Sequence, residues 1–192
     1  MFAIQFRQQP AVMTTAASYR DAIVCAVQRE VVPYLAHGRP NLIVFDEDSG
    51  LETLAIGPRA AAARRMLRAG VAACAGQSFP CATLATLSSL NAGYKRALQY
   101  LERRFPSLAG QFGRSFVAAT DTFVRVFMTT MADVARRYGV YVVASNTQAP
   151  FKLTRDRAAV AALRDPATPG VRSVYAPTAG VAYDQTFLWG PR

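Results

Sequence analysis

The chain has 192 residues, 52% of them hydrophobic and 18% charged, so one domain has enough apolar material for a buried core and disorder is excluded. Its net charge of +10 rests almost wholly on arginine, with Lys95 and Lys152 the only lysines. The arginine clusters (Arg64-Arg65-Arg68, Arg103-Arg104, Arg136-Arg137) lie in segments of helical periodicity without a nucleic-acid recognition signature, so solvated helix faces are expected and no nucleic-acid partner.

Phe2 to Phe6 alternates as a strand from the first residues, and no secretory signal is visible. Ser18-Tyr19-Arg20-Asp21 reads as a capping box, and Ile23, Val27, Val31 and Leu35 follow as one apolar helical stripe. Pro33 should shorten that helix and Gly38 close it, leaving His37, the single histidine, at a helix C-terminus. Next comes Asn41 to Leu51, NLIVFDEDSGL. Its four apolar residues read as a strand buried on both faces, running straight into Asp46, Glu47 and Asp48. Ligands of open α/β sheets collect at the carboxyl ends of such strands, where a shielded carboxylate can act as acid, base or nucleophile.

A helix near Pro58 to Ala69, a loop rich in small residues and a helix near Leu90 to Arg104 follow. The stretch from Gly70 to Leu90 is mildly apolar but interrupted by Gln77 and Pro80, a poor match to a membrane span, so a soluble cytoplasmic protein is expected. Thr120-Asp121-Thr122 offers an N-cap to a stripe of Phe123, Phe127, Met131, Val134 and Tyr138, stopped by Gly139. Val140 to Ser145 reads as a second buried strand, and Thr154 to Gly170 as a short helix with a Pro-rich turn. Val171 to Tyr175 and Val181 to Leu188 read as a hairpin turning at Pro177 to Gly180. The strand–helix–strand order predicts an α/β fold.

Scarcity limits the chemistry. Cys25, Cys74 and Cys81 have no C-x-x-C spacing and no histidine partners, so no zinc site, no other cofactor and only free, non-catalytic thiols are expected. A Ser-His-Asp system would rest on His37 alone, and no nucleophile elbow accompanies it.

The order and spacing of FAIQF, LIVFDEDSGL, VARRYGVYVVAS and VYAPTAGVAYDQTFLWGPR resemble the carbon–nitrogen hydrolase (nitrilase) superfamily. The resemblance covers residues 1–192 as a single partial domain, with a probable insertion around 55–115. It implies an α-β-β-α sandwich, incomplete at the C-terminus, and a Glu-Lys-Cys triad acting on a small amide or nitrile. Glu47 takes the place of the general base; Asp46 stands where the family commonly has proline. The lysine and cysteine of the triad are expected beyond Arg192, and neither Lys152 nor any of the three cysteines fits their places. Alone, this polypeptide is therefore expected to hydrolyse little or nothing, and to associate with itself or with a complementing fragment.

Two other readings use the same residues. A strand running into Asp46-x-Asp48 also resembles the haloacid-dehalogenase-type phosphatases, with Asp46 as nucleophile, Asp48 as general acid and magnesium as cofactor; that family's later acidic pair has no counterpart after Asp48. The third reading is a non-catalytic domain kept for binding or assembly.

Overall fold

The computed structural model describes residues 1–9, 13–69, 79–110 and 113–192, of which 79–84 by backbone alone. The architecture is mixed α/β with two sheets. The first strand, β1 (Phe2–Ile4), leads to α1 (Ala16–Glu30) and then to β2 (Leu42–Phe45). A helical region follows: α2 (Ala61–Ala69), α3 (Phe79–Gly93), α4 (Lys95–Arg104), α5 (Arg114–Ala118) and α6 (Thr120–Thr122). A π-helical segment, Phe123–Met128, runs on into α7 (Thr129–Tyr138). The chain ends with β3 (Tyr141–Gln148), β4 (Phe151–Thr154), α8 (Arg157–Leu163), β5 (Val174–Pro177) and β6 (Tyr183–Trp189). Among the described residues no helix is long and apolar enough to cross a membrane.

The larger sheet has the order β1-β2-β3-β6, with β1, β2 and β3 parallel and β6 antiparallel to β3. The smaller pairs β4 with β5. The anticipated hairpin is therefore absent: β5 and β6 follow one another in sequence but join different sheets. Asp121 explains part of this choice, because its carboxylate accepts the Tyr175 N–H at 2.9 Å and draws β5 toward the helices.

α1 starts three residues earlier than the sequence suggests. Thr15 is its N-cap and accepts from the Ser18 N–H, while Ser18 returns a bond to the Thr15 N–H, so Ser18 closes a capping box rather than opening one. Thr15→Ala should cost about 1 kcal/mol, measured as a shifted denaturant midpoint with unchanged slope. The expected stripe holds: Ile23, Val27 and Val31 are buried. Gly139 ends α7 at φ 64°, ψ 36°, a left-handed conformation that glycine adopts without Cβ strain. Thr120-Asp121-Thr122, however, caps nothing; it lies within continuous helical structure, fully buried.

Side chains divide into two cores. One gathers α1, α7 and one face of the larger sheet, through Tyr19, Ile23, Val27, Ile43, Phe45, Phe127, Met131 and Val142. The other lies among the helical region, α8 and β5, through Tyr94, Leu98, Leu101, Val117, Phe123, Leu163 and Val174. The larger sheet is covered on one side only. Its opposite face presents Ala3, Val44, Tyr141, Val143 and Leu188, none of them part of either core, with Tyr141 41% and Leu188 67% exposed. LIVF is thus buried on one face and only half-buried on the other, although its composition fits a strand covered on both.

Candidate functional site

The three parallel strands bring their carboxyl ends together, and the turn after β2 is fastened there by its own acids. The Asp46 N–H donates to the Ile4 carbonyl at 3.2 Å, continuing the β1–β2 ladder by one residue. Asp48 sits at φ 54°, a left-handed conformation that aspartate tolerates better than most residues. Its N–H donates to Ser145 Oγ at 2.9 Å, and its Oδ1 accepts from the Thr147 N–H at 2.7 Å and the Thr147 hydroxyl at 2.9 Å. Gln8 Nε2 donates to the Asp48 carbonyl at 3.0 Å. Asp48 thereby ties β3, the loop after β1 and the turn into one unit. Gly50 completes the fit, since a Cβ there would stand 2.7 Å from the Asn146 side chain and 2.8 Å from the Phe127 ring.

Glu47 lies between these two anchored acids and behaves differently. Its side chain is exposed and makes no hydrogen bond or ion pair among the described residues. Sequence reasoning expects a desolvated glutamate at this strand end; the structure turns it outward, because the acids on either side of it are the ones directed into the fold. Beside the turn Ser49 and Asn146 are fully buried, and Thr147 is part-buried.

Beneath the turn lies a pair of acids that sequence reasoning missed in part. Glu52 is 1% exposed; its Oε1 accepts the Gln9 N–H, and its Oε2 has no protein partner among the described residues. Burial, reinforced by the Asp46 carboxylate, pushes Glu52 up to about 7. Asp46 is raised too, first by burial and against the opposing effect of the Phe6 and Asp46 N–H groups; its Oδ1 is likewise buried without a partner. The Tyr19 hydroxyl, held well above its usual range by burial and then by Glu52 and Asp46, donates to the Ser49 carbonyl at 2.9 Å. A carboxyl titrating near neutrality suits proton transfer. Glu52 is closed off from solvent, however, so its reach extends to the loop Phe6–Gln9 and to Asp46, not to a ligand. The visible signal for it was an acid inside the apolar run LETLAI, directly after the Gly50 turn.

The remaining reactive residues lie apart. Cys25, exposed on α1, lines a groove of about 610 Å³ along the free edge of β1 with Phe2, Ala22 and Arg29; Glu47 is not part of its lining. Cys74 falls outside the described residues, and Cys81 belongs to α3 rather than to the irregular loop expected for it. Lys95 opens α4, Lys152 is exposed on β4, and His37 is exposed before Gly38. Among the described residues no three His, Cys, Asp or Glu side chains gather as a metal site.

Comparison with known proteins adds no relative: no protein-family model, curated protein or solved structure matches the chain.

Proposed function

We propose that the chain carries the general-base part of a carbon–nitrogen hydrolase of nitrilase type. In this reading Glu47 accepts the proton of a cysteine thiol that attacks a small amide or nitrile, and a lysine stabilises the developing charge. Both partners are expected from residues following Arg192 or from another chain. The observation that carries the reading is the sorting of acids at the carboxyl end of β2. Asp48 is held by β3 and Asp46 lies part-buried beside Glu52, while Glu47 is exposed and makes no hydrogen bond among the described residues. A thiol with an ordinary value near 8.5 needs such a base to react at neutral pH.

The uncovered apolar face of the larger sheet supports the sandwich that goes with this reading. The larger sheet carries a helix layer on one face, and a second sheet with its own helix layer on the free face would give the α-β-β-α order. The same sorting disfavours a phosphatase, which needs both Asp46 and Asp48 free for nucleophile and acid.

The test is ammonia release from a panel of short amides and nitriles. The 192-residue chain alone should release none. The longest polypeptide encoded in frame with it should be active, and Glu47→Gln should reduce kcat/KM at least about a hundredfold with the fold intact by circular dichroism. Unchanged activity in that variant, or magnesium-dependent release of phosphate from an aryl phosphate, would overturn the proposal.

A further inference from the structure

We infer that β6 is an interface strand, pairing antiparallel with β6 of a second copy of this chain about a two-fold axis through Thr186. β6 is the outermost strand of the larger sheet, and among the described residues no strand lies along its far side. It spans seven residues, Tyr183–Trp189, against three for β1 at the opposite edge. Backbone N–H and C=O groups along such an edge are a template for another strand, which proteins normally block with lysine, proline, a bulge or a covering element. YDQTFLW contains neither lysine nor proline, and its seven residues pair with β3 without interruption.

The identity of the occupant follows from the strand's own sequence. A two-fold axis perpendicular to the sheet keeps the helix layers of both copies on one side and requires residues of equal facing to meet. Centring it on Thr186 matches all seven residues. Thr186 then meets itself, Asp184 meets Leu188, Gln185 meets Phe187 and Tyr183 meets Trp189. No like charges oppose one another, although the chain carries +10 overall, and Asp184 is the strand's only charged residue. Moving the axis to the adjacent residue, Gln185 or Phe187, would leave two residues of each β6 without a β6 partner. On the helix-facing side, Tyr183 (53% exposed) would cover the partner's Trp189, whose ring already stands edge-on to Phe127 at 5.7 Å. Cross-strand aromatic pairs of this kind stabilise antiparallel ladders. The product is one eight-stranded sheet with a helix layer from each copy.

Sedimentation equilibrium of the 192-residue chain between about 1 and 100 μM tests this, a range that spans weak homodimers. The wild-type chain should populate a dimer. Thr186→Lys, at an exposed position, sets two ammonium groups against each other on the axis and should weaken the dimer about fivefold, with the melting curve of the monomer unchanged. Leu188→Lys places an ammonium opposite the partner's Asp184 twice per dimer and should strengthen it about fivefold. That second variant separates strand pairing from packing through the uncovered apolar face, which loss of Leu188 would weaken. A monomer throughout the range, an unaltered dimer in Thr186→Lys, or a weaker one in Leu188→Lys would each overturn the inference. None of these results depends on Glu47 or on hydrolysis.

Discussion

Glu52→Gln should stabilise the protein at pH 8 and leave it nearly unchanged at pH 4.5. Glu52 is raised in the fold from 4.5 to about 7, so its ionised form is disfavoured there relative to the unfolded chain. The native state binds the extra proton. Stability is therefore greatest below the unfolded value, falls as pH rises from about 4.5 to 7, and stays low above that. The rise from 4.5 to about 7 corresponds to about 3 kcal/mol as an upper limit. Glutamine keeps an oxygen for the Gln9 N–H and replaces the protonated oxygen with an amide that carries no charge. Asp46 is raised in the same direction, so its contribution has the same sign. Urea titrations at the two pH values decide the matter. An equal effect at both, or destabilisation at pH 8, would show that folding does not raise Glu52 above its ordinary value.

Gly93→Ala should destabilise by about 3 kcal/mol or more, opposite to what helix propensity alone demands. In a helix an alanine is favoured over glycine by about 0.5–1 kcal/mol. At Gly93, the last residue of α3, the added Cβ would land on the Arg59 carbonyl oxygen and 2.8 Å from its carbonyl carbon. Backbone cannot swing aside as a side chain can, so α3 and the turn Pro58–Ala60 must separate. That turn is anchored from its other side. The Arg59 guanidinium donates to the carbonyls of Ala162, Leu163 and Arg164 at 2.8–3.1 Å, satisfying the end of α8, and lies 5.2 Å over the Tyr94 ring. Movement of the turn therefore loosens α8 and a fully buried tyrosine together. Thermal melts of Gly93→Ala beside an exposed glycine such as Gly139→Ala separate the clash from backbone strain, because Gly139 has open space around it and only its positive φ to lose.

Several elements were legible because they depend on neighbours in sequence. LIVF, the stripe Ile23-Val27-Val31 and the stop at Gly139 all follow from local pattern and backbone preference. What failed depended on distant partners. Ser18 and Thr15 are both good capping residues, and only the entry path of the chain selects Thr15. Thr120-Asp121-Thr122 carries N-cap chemistry, yet Asp121 spends it on Arg125 at 2.9 Å and on β5. β5 and β6 satisfy hairpin rules, but β3 is longer than anticipated and takes all seven residues of β6. At the candidate site, the three acids after β2 could be found from spacing, while their division into two anchored and one free could not. Glu52 joins them through folding of the loop after β1, and no periodicity announces that meeting.

The π-helical segment Phe123–Met128 has a mechanical meaning. Val117 and Ala118 before it and Phe123 at its start grip the core among the helices; Phe127 near its end and Met131 and Val134 after it grip the core under the larger sheet. A wider turn phases the two apolar stripes differently along one rod. One rod therefore spans both cores, and removing its extra residue would rotate one stripe away from the core it fills.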